Sequence, residues 1–109
     1  MKLEQEVIGN VTVVRADGRL DASTTASVYK MITAILNDGK TNLVLDMKAV
    51  KSISSYCLGV LVTLNKQLKT KGSALKLAGL TPEVRVPFEI TGVLAQFEVF
   101  NDVDSAVKN

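Results

Sequence analysis

The sequence contains no histidine and no tryptophan, and it has a single cysteine, Cys57, among its 109 residues. Without histidine, the usual general base of Ser-His and Cys-His nucleophilic mechanisms is missing. A lone cysteine cannot form an internal disulfide, and without histidine it does not make an ordinary zinc site. The isolated glycines Gly72 and Gly79 form neither a phosphate-binding loop nor a dinucleotide fingerprint. We therefore expect a protein that is not an enzyme and that holds no metal ion and no cofactor.

The chain also lacks a large excess of either positive or negative charge. Lys and Arg total 13 against 11 for Asp and Glu, so the formal net charge is +2, and aromatic residues make up only 5% of the chain. Nucleic-acid binding requires a clustered basic face for phosphates or aromatic side chains on which bases stack. The lysines are scattered along the chain, and we expect no nucleic-acid partner.

Long apolar runs are absent as well. No run approaches the length of a membrane span, and the segment Met1–Asn10 carries Lys2, Glu4 and Glu6 where a signal peptide would have an apolar core. The sequence therefore predicts a cytoplasmic protein without a membrane partner.

The chain does contain enough apolar residues, 47% of the total, to build one core, and we expect a single domain over residues 1–109. The patterning predicts strands at Lys2–Ile8 and Val11–Val14, a helix at Asp21–Asn37, a strand at Leu43–Leu45, a helix from Ser54 or Ser55 to Lys71, a strand at Ser73–Ala78, a helix opened by Thr81 and Pro82, a strand at Val99–Phe100 and a helical segment at Asp102–Val107. This order predicts an α/β fold with a mixed, mostly parallel sheet that is opened by a β-hairpin and flanked by about four helices. The apolar strand at Leu43–Leu45 should lie at its centre, covered on both faces.

Local signals support the predicted ends of these elements. Gly9-Asn10 suits a two-residue hairpin turn, and either Asp21 or Ser23 can cap the first helix. The hydroxyl of Thr81 should cap the third helix, which Pro87 should keep short or distorted.

Other polar residues have a structural interpretation. We expect Asp46 to end its strand and to bond loop amides. Four lysines, Lys66, Lys69, Lys71 and Lys76, should form a solvated basic face.

Five segments, taken together, resemble the STAS domain, the module shared by sulphate transporters and bacterial anti-sigma factor antagonists. They are Gly18-Arg19-Leu20-Asp21, Leu43-Val44-Leu45-Asp46, Ser55 with Leu58-Gly59-Val60-Leu61, the stretch Leu77–Val84, and Thr91-Gly92-Val93. The resemblance implies a STAS-like fold and an antagonist that regulates transcription indirectly. It would have two partners: an anti-sigma factor that is also a serine kinase, and a separate serine phosphatase. The chain itself would be a monomer or a weak dimer.

The resemblance also implies a phosphorylation site. The family serine lies in an Asp-Ser-Ser-Gly-Leu-Gly pattern, which aligns with Ser54–Gly59 and places Ser55 on the phosphorylated serine. Ser54 then replaces the family aspartate, Tyr56 the second serine and Cys57 the first glycine. The implied partner-binding residues are Asp21, Ser23, Thr24, Ser54, Ser55 and Tyr56.

Simpler interpretations of the same residues remain open. Ser54 or Ser55 alone would serve as a helix cap worth about 1 kcal/mol, and Asp21 would be an ordinary N-cap as well as a partner contact. Cys57 is either a small buried apolar residue or a thiol activated by the helix N-terminus.

Two other functions are compatible with this sequence. One is a STAS-fold module that binds a small apolar or anionic ligand, or that binds a protein without being switched because its phosphorylation site is degenerate. The other is an enzyme with Ser55 or Cys57 as nucleophile and Lys51 as base, which lacks a recognisable oxyanion loop.

Overall fold

A computed structural model describes all residues from Met1 to Asn109 and contains one five-stranded sheet. The elements are β1 (Lys2–Ile8), β2 (Val11–Leu20), α1 (Ala22–Asn37), β3 (Leu43–Ile53), α2 (Ser55–Thr70), β4 (Leu75–Ala78), α3 (Pro82–Ile90), a 3₁₀ turn (Leu94–Gln96), β5 (Glu98–Phe100) and α4 (Val103–Lys108). The strands lie in the order β1-β2-β3-β4-β5, with β1 antiparallel to β2 and all other neighbours parallel. The predicted α/β fold with a mixed, mostly parallel sheet is confirmed. None of the helices has the length and apolar composition that crossing a membrane requires.

The hairpin of β1 and β2 turns at Gly9 and Asn10, as predicted, with Gly9 at a φ of +63°. However, β2 does not end at Val14 but continues to Leu20. Its last residues pair with β3 through two register shifts, at one of which Gly18 has a φ of +117°. The predicted strand ended where the β-branched run ends, but bulged pairing with a neighbouring strand keeps the polar and glycine residues that follow in the sheet.

The central strand β3 is also longer than predicted, and Asp46 does not end it. This residue lies within the strand, opposite Arg15 of β2 and Ala78 of β4, with its side chain 3% exposed. Asp46 Oδ2 lies 3.5 Å from Arg15 Nε, and Asp46 Oδ1 accepts a hydrogen bond from the Lys48 amide at 3.1 Å. A buried carboxylate is tolerated in a strand when a cation and an amide partner it, and Arg15 supplies the cation.

The two faces of the sheet are covered unequally. The larger core has 21 buried residues and joins one face to α1, α2 and α3, whereas the smaller core consists of Val11, Val13, Val44, Ala78 and Ala106 and lies under α4. Leu43 and Leu45 belong to the first core and Val44 to the second, so β3 is buried on both faces as predicted.

The predicted basic face is wrong in one member, Lys76. This residue is only 8% exposed, and its Nζ donates to the carbonyl oxygens of Ala106 at 3.4 Å and Asn109 at 2.7 Å. The Nζ also lies 5.9 Å from the centre of the Phe100 ring. Because side chains alternate along a strand, Lys76 points to the α4 face rather than toward the other three lysines, which are exposed.

Helix α3 starts at Pro82 and has nine residues, so it is short as expected, with Pro87 inside it. The helix continues past this proline, since the Thr91 amide donates to the Pro87 carbonyl at 3.2 Å. The prediction that the Thr81 hydroxyl caps α3 is wrong, because that side chain makes no capping hydrogen bond. Only the Thr81 backbone carbonyl takes part, accepting from the Arg85 amide at 2.8 Å.

The central strand should dominate the stability of this fold. Leu45 is fully buried in β3, so Leu45→Ala should lower the free energy of unfolding by about 2–5 kcal/mol through lost apolar transfer and a residual cavity. Val7 in β1 is 55% exposed, and Val7→Ala should change the free energy of unfolding by about 0.5 kcal/mol or less. Urea denaturation monitored by circular dichroism measures both. Equal midpoints for Leu45→Ala and the wild type would contradict this packing.

Candidate functional site

The N-termini of α1 and α2 lie side by side at one edge of the sheet. The strands that precede them, β2 and β3, are parallel, and their last residues, Leu20 and Ile53, are register partners. One residue further on, the Ser54 amide donates to the Leu20 carbonyl at 2.8 Å. Because parallel strands end at the same edge, two helices that follow them directly must begin next to each other.

Asp21 is the N-cap of α1, which decides between the two candidate caps. Its Oδ1 accepts hydrogen bonds from the Ser23 amide at 3.0 Å, the Ser23 hydroxyl at 2.8 Å and the Thr24 amide at 3.1 Å. In return, the Asp21 amide donates to Thr24 Oγ1 at 2.9 Å, which completes a capping box. The Thr24 hydroxyl also donates to the Arg19 carbonyl at 2.7 Å and so fixes the turn out of β2.

The same contacts set the charge of this helix start. Hydrogen bonds from the Ser23 hydroxyl and the Thr24 amide hold the pKa of the Asp21 carboxyl below its usual 3.8. Every hydrogen bond to this carboxylate reaches Oδ1, so Oδ2 has no hydrogen-bond partner within the chain. Asp21 therefore presents an ionised and exposed oxygen to solvent while it caps α1.

The two serines at the start of α2 have different roles. Ser54 is the N-cap, and its Oγ accepts a hydrogen bond from the Cys57 amide at 3.2 Å. Ser55 is the first helical residue, is exposed, and makes no hydrogen bond through its hydroxyl within the chain. Tyr56 follows with 60% of its surface exposed. The cap alternative thus applies to Ser54 alone and leaves the Ser55 hydroxyl without a structural task.

Cys57 lies in the first turn of α2 but is fully buried. Burial raises the pKa of its thiol above 9.0, and a side-chain hydrogen bond with Thr25 of α1 opposes this shift. The thiol is therefore protonated at neutral pH and acts as a small packing residue between the two helices. The alternative of an activated thiol would require a lowered pKa and solvent access, and the observed environment provides neither.

Next to Ser55, an open groove of about 300 Å³ runs between α1 and α2. We call it the tyrosine groove. It is lined by Tyr29, Ser55, Tyr56, Gly59, Val60 and Thr63. No charged side chain lines it. The sequence analysis did not identify Tyr29, because only the packing of α1 against α2 brings this residue beside Tyr56 and Gly59.

The fold and this geometry agree with a known family. The model of the STAS domain matches residues 2–106 of the chain. The chain belongs to the STAS domain family. The resemblance stated from the sequence is therefore confirmed.

Individual STAS proteins show the same similarity. BtrV of Bordetella bronchiseptica, whose name calls it an anti-sigma factor antagonist, is 31% identical over 106 residues, which is 97% of this chain and 91% of BtrV. The crystal structure of an anti-sigma factor antagonist from Mycobacterium paratuberculosis has a TM-score of 0.90 at 26% identity, covering 98% of this chain and 91% of the other. The Bacillus cell fate determinant SpoIIAA in its phosphorylated form has a TM-score of 0.77 at 16% identity, with coverage of 98% and 97%.

In this STAS domain, the six residues implied for partner binding all lie at the starts of α1 and α2. Four of them are exposed and two, Thr24 and Ser54, are half-buried because their hydroxyls are used in the caps. The structure thus brings the predicted residues together, while their role in binding stays a prediction. No group of three or more His, Cys, Asp or Glu side chains is arranged to hold a metal ion.

The Asp21 cap of α1 should make the free energy of unfolding depend on pH in the acidic range. Since the pKa of Asp21 is lower in the folded than in the unfolded chain, its contribution is fully present above pH 3.8 and is lost as the pH falls through the folded value. Asp21→Asn keeps a capping oxygen but removes the charge, so the variant should be less stable than the wild type at pH 7.

This difference should shrink as the pH is lowered below 3.8, as measured by urea denaturation over a pH series. Asp17→Asn is the control, because the exposed Asp17 carboxylate makes no hydrogen bond within the chain, and it should track the wild type at every pH. A gap between Asp21→Asn and the wild type that is constant with pH would contradict the ionised cap.

Proposed function

We propose that this protein is an anti-sigma factor antagonist that regulates transcription indirectly, by reversible binding to an anti-sigma factor that is also a serine kinase. The binding surface consists of Asp21, Ser23, Thr24, Ser54, Ser55 and Tyr56. One observation carries the proposal: Ser55 presents an exposed hydroxyl, free of hydrogen bonds within the chain, where two helix N-termini meet. The antagonist names of its STAS relatives support it.

Ser55 is the residue that we propose as the phosphorylation switch. Its neighbour Ser54 already uses its hydroxyl to cap α2, so phosphorylation there would cost the cap, whereas Ser55 has nothing to lose. A phosphate on the first helical residue lies near free amides and the positive end of the helix dipole, which favour negative charge. Phosphorylation should therefore leave the domain folded, and the phosphorylated form of SpoIIAA supports the compatibility of this fold with a phosphate.

The effect of the phosphate on binding follows from charge. A phosphoserine adds between about 1.5 and 2 negative charges at neutral pH to a surface that already carries the ionised Asp21. The free Oδ2 of Asp21 suits a basic group of the partner, and a phosphate beside it opposes the complex by repulsion of acidic groups and by the cost of desolvation. Because Ser54 stands where the family has aspartate, this surface offers a basic partner one acidic contact fewer, and we expect a weaker complex than in a standard pair.

The rival functions have less support. The groove beside Ser55 is open to solvent, which suits a protein side chain better than an enclosed small ligand. For the enzyme alternative, the Cys57 thiol is buried and protonated, and Lys51 makes no hydrogen bond to either candidate nucleophile. The proposal accordingly assigns no reaction to this chain and leaves the phosphate chemistry to its partners, a serine kinase and a serine phosphatase. We further propose that the protein is located in the cytoplasm and is a monomer or a weak dimer.

The switch predicts a specific pattern of affinities. Ser55→Asp and Ser55→Glu should weaken the complex with the anti-sigma factor by about tenfold or more, because they add charge at the contact. Ser55→Ala should bind almost like the wild type. Gln67 is exposed near the C-terminal end of α2 and lies outside the surface, so Gln67→Glu is the control for added charge and should retain affinity. Isothermal titration calorimetry with the purified anti-sigma factor measures all four variants.

The modification itself is tested by incubating the chain with the same anti-sigma factor and ATP, followed by peptide mass spectrometry. A phosphate on Ser55 supports the switch. A phosphate confined to another residue, or acidic variants of Ser55 with unchanged affinity, would refute the Ser55 assignment. Preserved binding without any phosphate would favour an unswitched antagonist, in keeping with the three departures at Ser54, Tyr56 and Cys57.

A further inference from the structure

Gly59 is a glycine that this chain does not need for its own fold. It lies in the second turn of α2, its φ is not in the left-handed region, and a Cβ placed on it would meet no atom within 4 Å other than its chain neighbours and the backbone of its own helix. By contrast, Gly79 has a φ of +73°, and a Cβ there would lie 3.0 Å from Lys48 Cβ. A glycine inside a helix costs about 1 kcal/mol relative to alanine. Neither backbone conformation nor internal packing accounts for that cost at Gly59.

The open space above Gly59 belongs to the tyrosine groove. Two aromatic side chains that also line it, Tyr29 and Tyr56, are 41% and 60% exposed, and Val60 adds an aliphatic wall. A groove with aromatic walls, a glycine in its lining and no charged group provides nothing to neutralise a charged occupant. Its chemistry fits an aliphatic or aromatic side chain.

We propose that the tyrosine groove receives an apolar side chain of the anti-sigma factor, which contacts α2 at Gly59 between Tyr29 and Tyr56. This inference rests on the proposed function and specifies the chemistry of its contact. Ser55 lines the same groove. A partner that covers this serine therefore also lies over the groove and can insert a side chain into it. Glycine lets that side chain approach the helix backbone more closely than any other residue would allow.

The arrangement links the groove to the switch. A phosphate on Ser55 would place charge and its hydration shell at the groove where an apolar side chain must be desolvated. The apolar contact would then be lost together with any contact to Asp21.

The test separates folding from binding at Gly59. Gly59→Ala should raise the thermal midpoint of unfolding, because alanine is the better helix former, and should still weaken binding to the anti-sigma factor. Gly59→Leu fills the groove and should weaken binding by about tenfold or more, as should Tyr56→Ala. Ala34 is exposed on α1 and does not line the groove, so Ala34→Leu is the control for added bulk and should bind like the wild type.

The experiment uses the full chain and each purified kinase-type anti-sigma factor encoded in the same genome, with calorimetry for affinity and circular dichroism for the thermal midpoint. Lower affinity of Gly59→Ala with an equal or higher midpoint supports the inference, even if Gly59→Leu fails to fold. If Ser55→Asp weakens binding while Gly59→Ala and Gly59→Leu retain full affinity, the groove inference fails and the proposed function stands. If the wild type binds none of these factors, both fail. A wild-type dimer in sedimentation that Gly59→Leu converts to a monomer would assign the groove to a second copy of the chain and overturn the inference.

Discussion

The parallel pairing of β2 with β3, maintained as far as Leu20 and Ile53, is the interaction on which the candidate surface depends. It makes the two strands end together, and the hydrogen bond from the Ser54 amide to the Leu20 carbonyl extends the pairing into the start of α2. Two helix N-termini, each with its own capping residue, are thereby placed side by side. Residues that are far apart in the sequence, Asp21 and Ser55, become parts of one surface.

At this surface, structural and functional tasks fall on different atoms. Asp21 caps α1 through Oδ1 and leaves Oδ2 exposed, while Ser54 caps α2 and leaves the hydroxyl of Ser55 without a partner in the chain. Modification of Ser55 therefore removes no hydrogen bond that holds the fold. A switch of this kind changes what the surface binds rather than whether the domain is folded.

Much of the fold was predictable because hydrophobic periodicity and helix caps are local signals. The element order, the central place of β3 and a polar cap at the start of α1 follow from residues close together in the sequence. Two of the misjudged residues, Asp46 and Lys76, depend on distant partners. Asp46 remains inside a strand because Arg15 of another strand balances its charge, and Lys76 is buried because the C-terminal helix supplies carbonyl oxygens.

The candidate site was predictable in part for the same reason. The six partner-surface residues came from the family resemblance, and they flank helix starts that capping signals locate. The tyrosine groove did not emerge, since Tyr29 and Gly59 lie on different helices and only the packing of α1 against α2 brings them together. The free hydroxyl of Ser55 likewise became distinguishable from that of Ser54 only through the observed cap.

We propose that the starts of α1 and α2 together form the surface that contacts the anti-sigma factor. Amide chemical shifts of the ¹⁵N-labelled chain, recorded as the unlabelled anti-sigma factor is added, test it most directly. The largest changes should cluster at residues 21–29 and 54–60, while the amides of α4 on the opposite face of the sheet should keep their shifts. Changes confined to α4 and β1, with the starts of α1 and α2 unaffected, would contradict it.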